Sequence, residues 1–151
     1  MSEAIHHGGC QCGALRFQTR GEPAKTAVCH CRYCQTRTGS AFGVSVYFPA
    51  DRVTVTGVAR DYQFSTESGR SFTTSFCPEC GTNVLWRIGL FEDMIGIAGG
   101  CYDPPTFWFD VNREVFTRSR APFVQTTCAE SFETTSSYAP TQPEKPALSG
   151  G

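Results

Sequence analysis

The sequence predicts a mainly β protein forming one domain, with a single short helix. Three observations lead there. Short runs rich in β-branched and aromatic side chains recur between turn signals, the signature of strands rather than helices. Only one stretch of the chain reads as helix. At 151 residues the chain is long enough for one hydrophobic core and too short for two of ordinary size.

The strand-like runs fall at 14–19, 42–48, 52–55, 62–65, 71–76, 83–88 and 94–97. The helix is expected at 31–38, which contains neither glycine nor proline and is followed by Gly39, a residue suited to a left-handed cap. Beyond the aromatic block Phe107-Trp108-Phe109 and a last apolar point at Pro122-Phe123-Val124, the residues Ser, Thr, Glu and Pro dominate. The expected domain is therefore 1–124. The tail 125–151 has a composition that cannot repay the entropy of ordering, so disorder is expected there. The alternative is a tail resting on the domain through Phe132 and Tyr138. No internal repeat of solenoid length occurs.

A formal charge of −1 and a pI of about 6.3 provide no basic field for phosphate backbones, so nucleic acid is not expected as a partner. No apolar run reaches the roughly 18 residues of a membrane span, and residues 1–9 are short and polar, unlike an export signal. The expected location is the cytoplasm. There, nine cysteines read as reduced thiols kept for metal or catalysis rather than as disulfides. Cys10 and Cys12, like Cys29 and Cys31, are separated by one residue, a spacing that rarely satisfies disulfide geometry.

The sharpest local signal is Cys77-Pro78-Glu79-Cys80-Gly81, a C-x-x-C knuckle in which the glycine allows the sharp turn that points amides at the sulfurs. A redox motif of thioredoxin type would need a helix after it, whereas 82–88 reads as a strand. The second pair, Cys10-Gln11-Cys12, lies among Gly8, Gly9 and Gly13, which supply freedom for a chelating loop. Together Cys10, Cys12, Cys77 and Cys80 make the four thiolates of a closed tetrahedral zinc site that clamps distant segments. The third cluster, Cys29-His30-Cys31-Arg32-Tyr33-Cys34, places three thiolates around one ion as the helix begins. Three ligands leave one position for water or substrate, the mark of a catalytic site, unless Cys101 or His7 closes it. Zinc is favoured over iron for reduced knuckles of this spacing. A centre with three thiolates is electron-rich and a poor acidifier of water, so its natural substrate is another thiol, held as a thiolate for addition to carbonyl carbon.

The ordered set Gly-Gly-Cys-x-Cys-Gly, Cys-His-Cys-x-x-Cys, Cys-Pro-x-Cys-Gly and Ser-Arg-Ala-Pro-Phe, spanning about 8–124, resembles the glutathione-dependent formaldehyde-activating family. The resemblance implies a fold of several coiled antiparallel β-sheets, related to that of the methionine-R-sulfoxide reductases, with one structural and one catalytic zinc. It implies condensation of formaldehyde with glutathione to S-hydroxymethylglutathione, formally a carbon–sulfur lyase reaction. Carried over by position, Cys10, Cys12, Cys77 and Cys80 match the structural zinc, and Cys29, Cys31 and Cys34 the catalytic one. Some relatives act in protein interaction or chromatin. One departure stands out: Cys101 and Tyr102 occupy positions where threonine or serine and leucine are expected.

Three readings follow. The first is a zinc-dependent carbon–sulfur lyase acting on glutathione or a similar small thiol. The second is a non-catalytic zinc module that binds protein. The third is a methionine sulfoxide reductase, for which Cys101 is the candidate nucleophile. His30 reads as a hydrogen-bonded structural residue, with a donor that orients the ligands or a proton acceptor as the alternatives. Arg32, Arg37 and Arg87 are candidates for gripping substrate carboxylates. Phe107, Trp108 and Phe109 read as core or partner-facing surface rather than pocket, Cys101 as a small buried side chain, with a resolving thiol or an extra ligand as the alternatives, and Cys128 as incidental.

Overall fold

The computed structural model describes residues 3–135 and 138–148. Two sheets build it. Strands β1 (Ile5–Gly9), β2 (Arg16–Arg20) and β5 (Val53–Thr56) form a three-stranded antiparallel sheet in the order β1-β2-β5. The larger sheet has eight strands: β3 (Lys25–Cys29), β4 (Gly43–Pro49), β6 (Arg60–Ser65), β7 (Ser71–Phe76), β8 (Asn83–Ile88), β9 (Met94–Ala98), β10 (Arg113–Val115) and β11 (Glu130–Ser131). Their order is β11-β10-β3-β4-β9-β8-β7-β6, antiparallel except where β10 runs parallel to β3 and to β11. The helix α1 (Arg32–Thr38) connects β3 to β4 and ends at Gly39, whose φ of 65° is the left-handed cap.

All seven expected strand runs are strands, and those at 71–76 and 83–88 keep their bounds. Strands β4, β8 and β9 are central, and β8 and β9 each bury three consecutive residues, because both faces are covered there. Phe17 and Leu15, from the small sheet and the loop that enters it, pack on Val46, Phe48, Val84, Ile95 and Ile97, so the core lies between the sheets. Trp86 sits over Gly96 on the neighbouring strand. A Cβ at Gly96 would lie 2.2 Å from Trp86 Nε1, so only glycine leaves room for the indole.

After Val124 the chain follows the domain. Glu130–Ser131 pairs with β10, the Phe132 amide donates to the Glu114 carbonyl at 3.0 Å, and Tyr138 stacks edge-on to Phe116. Thr141 and Gln142 donate their amides to the Glu67 carbonyl. Phe132 and Tyr138 thus both make contacts with the domain; residues 136–137 and 149–151 of the tail lie outside the described residues. Among the described residues no helix is long and apolar enough to cross a membrane.

Candidate metal centres

Two loops build the first cluster. In the Cys77–Gly81 knuckle, Gly81 takes φ 78° and donates its amide to the Cys77 carbonyl at 2.8 Å, while the Glu79 amide donates to Cys77 Sγ at 3.4 Å. In the other loop Gly13, at φ 83°, donates to the Cys10 carbonyl, and the Leu15 amide donates to Cys10 Sγ at 3.2 Å. Of the three glycines expected to loosen that loop only Gly13 has a positive φ. Gly8 and Gly9 lie in β1, where Gly8 admits Phe17 and Tyr102, its Cβ position falling 2.5 Å from the Phe17 ring. The Gln11 amide donates to Thr82 Oγ1 at 3.1 Å and joins the loops.

The result is that Cys10, Cys12, Cys77 and Cys80 place their sulfurs within 4.8 Å of one another, close enough to hold one metal ion. Cys10 and Cys77 are buried and Cys12 faces solvent. Hydrogen bonds from the Thr82 hydroxyl, the Thr82 amide and the Cys12 amide draw the Cys80 thiol down to about 5, so it is a ready thiolate.

The second cluster stands where β3 meets α1. Cys31 caps the helix, its Sγ accepting the Cys34 amide at 3.3 Å, and Cys29 closes the strand. The sulfurs of Cys29, Cys31 and Cys34 also lie within 4.8 Å of one another. Among the described residues no fourth Cys, His, Asp or Glu joins them, so neither Cys101 nor His7 completes the set. Thiols of Cys29 and Cys31 donating to Cys34, with the Arg37 charge beside it, hold Cys34 well below the usual thiol range against the effect of burial. Cys29 is correspondingly pushed up by its two neighbours and by burial. Three sulfurs this close cannot all ionise against one another; a divalent cation resolves the conflict by taking the place of the protons.

His30 points away from this cluster. It is fully buried, and its Nε2 donates to Glu114 Oε2 at 3.0 Å. Glu114 also accepts from Thr126 Oγ1, Ser131 Oγ and Arg120 Nη1. Arg120 belongs to the Ser119–Phe123 motif, whose Ser119 carbonyl accepts from Gln35 Nε2 on α1 at 3.0 Å. The motif thus braces the helix that carries Cys34. The signal for this hub in the chain itself is slight, an acid between Arg113 and the apolar Val115-Phe116.

A cavity of about 570 Å³ opens beside the three-cysteine cluster, lined by Cys29, Cys31 and Cys34. Arg32 and Arg37 line it and Arg87 does not. Phe107, Trp108 and Phe109 are elsewhere: Phe109 is buried in the core, Phe107 is exposed, and Trp108 stacks on His6 with centroids 3.5 Å apart. Cys101 is also outside the cavity wall. It packs on the core and faces the Asn83 carbonyl at 3.8 Å, with burial pushing its thiol up to about 11, a setting that suits a structural side chain and not a nucleophile. Cys128 Sγ faces the Val111 carbonyl at 3.6 Å.

The β scaffold gathers four thiols in one place and three in another, each set close enough to hold a metal ion, and the set of three lies on the wall of a cavity. The pattern of the glutathione-dependent formaldehyde-activating enzyme family matches residues 5–119, and the chain belongs to that family. A solved structure with a similar fold is the crystal structure of a Rhodobacter sphaeroides protein, 19% identical with a TM-score of 0.52, covering 70% of this chain and 96% of that one.

Proposed function

We propose that the chain is a zinc-dependent carbon–sulfur lyase that forms and breaks the adduct between an aldehyde and a small thiol, glutathione or one like it. The observation that supports this is the contrast between the clusters. Cys10, Cys12, Cys77 and Cys80 form a complete set of four away from the cavity, suited to a structural zinc, whereas Cys29, Cys31 and Cys34 are three and face the cavity.

The donor sets fit zinc. Four sulfurs at about 2.3 Å from a tetrahedral ion stand about 3.8 Å apart, and Cys12 Sγ lies 3.6 Å from Cys10 Sγ and 3.7 Å from Cys77 Sγ. Bound by Cys29, Cys31 and Cys34, zinc supplies a Lewis acid that favours the thiolate form of an incoming thiol. Around it Arg37 brings positive charge beside Cys34, and Lys25, Arg70 and Lys145 line the same cavity, where they suit the carboxylates of a glutathione-like thiol. Addition joins sulfur to the carbonyl carbon and leaves the thiol proton on the carbonyl oxygen; the reverse breaks that bond, and neither direction needs an oxidant or reductant. Nine unpaired cysteines suit a reducing compartment, the cytoplasm.

The test combines zinc content with X-ray absorption before and after glutathione, and carbon-13 NMR of labelled formaldehyde with glutathione and catalytic protein. Two zincs per chain, a gain in average sulfur coordination on adding the thiol, and faster exchange between aldehyde and adduct are expected. Two zincs indifferent to glutathione, with exchange at the uncatalysed rate, would overturn the lyase and leave a zinc-stapled binding module.

A further inference from the structure

The cavity is far more aromatic than a one-carbon aldehyde and a polar tripeptide require. Tyr33 lies on α1 between Cys31 and Cys34, and its ring stacks on Phe64 of β6 with centroids 5.5 Å apart and planes 11° from parallel. Phe64 stacks in turn on Phe72 of β7 at 5.2 Å and 19°. Tyr33, Phe64 and Phe72 are each only half-buried and all line the cavity, so a wall of nearly parallel rings begins one residue from the thiol cluster. Two further lining rings already carry cations, Trp86 the Arg37 guanidinium at 4.4 Å and Phe91 the Lys25 ammonium at 4.0 Å. The Tyr33 hydroxyl donates to Glu67 Oε2 at 3.1 Å, which fixes the ring that starts the wall. Glu67 is the only carboxylate among the described lining residues.

Glutathione supplies carboxylates for the cations, but its apolar atoms are methylenes, and formaldehyde offers no surface to a ring. A half-buried aromatic wall lining the same cavity as the three thiols instead suits a flat apolar group on the carbon side of the carbon–sulfur bond, since rings stack on rings at these spacings and gain from leaving water. A volume of about 570 Å³ has room for such a group in addition to the thiol. We infer that the carbon half of the substrate is aromatic: the site takes adducts of a glutathione-like thiol with an aromatic aldehyde, placing the ring against Tyr33, Phe64 and Phe72. This rests on the lyase reading and specifies its substrate. The step keeps the same balance, with sulfur adding to the aldehyde carbon and the thiol proton passing to its oxygen.

The inference is tested by calorimetric binding to the zinc-loaded full chain of two inert thioethers, S-benzylglutathione and S-methylglutathione, which differ only in the ring. The benzyl compound is expected to bind about tenfold tighter or better, the gain of one stacked, desolvated ring. Phe64→Leu and Phe72→Leu, which keep an apolar side chain, are each expected to reduce that ratio severalfold while leaving the S-methyl affinity unchanged, which also reports an intact fold. Equal affinities for the two thioethers in the wild type would overturn the aromatic inference and leave the lyase reading standing. So would a ratio that survives both substitutions. Absence of binding by either thioether and by glutathione itself would overturn both.

Discussion

His30 Nε2 donates a hydrogen bond of 3.0 Å to Glu114 Oε2, and both side chains are buried. Burial alone would raise the Glu114 carboxyl, but hydrogen bonds from His30, Thr126 and Ser131 and the charge of Arg120 hold it below its ordinary value of 4.5. A group whose pKa is lower folded than unfolded contributes stability above its unfolded value, and that contribution is lost as pH falls through the folded value. Glu114→Gln is therefore expected to cost about 2 kcal/mol at pH 7, because buried donors lose a charged acceptor. The difference in Tm between variant and wild type, measured by calorimetry from pH 7 downward, should shrink below about pH 4.5. A difference constant with pH would refute the assignment.

The two cysteine clusters should respond differently to serine. Cys77→Ser removes a buried ligand from the set that ties the Cys10 loop to the β7–β8 turn, and it is expected to lose one zinc per chain and to lower Tm by 10 °C or more, on the order of 3 kcal/mol. Cys31→Ser is expected to lose the other zinc with a much smaller fall in Tm, while abolishing thiol binding. Metal analysis and thermal denaturation of the two proteins side by side check this; equal falls in Tm would show that both clusters staple the fold.

Gly96 is expected to tolerate no side chain. In Gly96→Ala the new methyl meets Trp86 Nε1 and Cε2 at 2.2 and 2.5 Å, and Trp86 is 2% exposed, so either the indole or strand β9 must shift. The cost is about 1–3 kcal/mol by overpacking. Because Trp86 lines the cavity and donates to the Tyr47 hydroxyl at 3.1 Å, the same variant should blue- or red-shift tryptophan fluorescence and weaken thiol binding. An unchanged Tm would sink the prediction.

Arg37 has a buried guanidinium nitrogen, Nη2, with no hydrogen-bond partner among the described residues, beside Cys34 and over Trp86. Arg37→Gln removes the positive charge that acts on Cys34. Affinity for an anionic thiol is expected to fall about tenfold, with zinc still bound, and the loss should diminish as salt is raised. Titration of glutathione at two ionic strengths reads this directly; Arg37→Lys should recover part of the charge effect without the stacking on Trp86.

What the sequence by itself determined is local. The spacing of Cys77 and Cys80 before Gly81, of Cys29, Cys31 and Cys34 at the start of a helix, and the bounds of that helix at Gly39 are properties of a few adjacent residues, and the structure keeps them. The runs that became β7 and β8 were legible for the same reason: their residue types suit a strand wherever it is placed. Strand β3 was missed because Lys25–Cys29 is short and mixed, and its strand character comes from pairing on both sides, with β4 and β10. The two-residue β11 has no periodicity to read at all. Residues 126–134 carry hydroxyls and amides that satisfy Glu114 and β10, contacts that polar composition permits but does not announce. Only the tertiary structure decided that Cys12 faces Cys77 across 65 residues, that three thiols open on a cavity while four close on themselves, and that Phe64, itself stacked on Phe72, comes to lie on Tyr33. Those meetings depend on which sheet edges and faces find one another in space, and the chain's nearest neighbours carry no record of that choice.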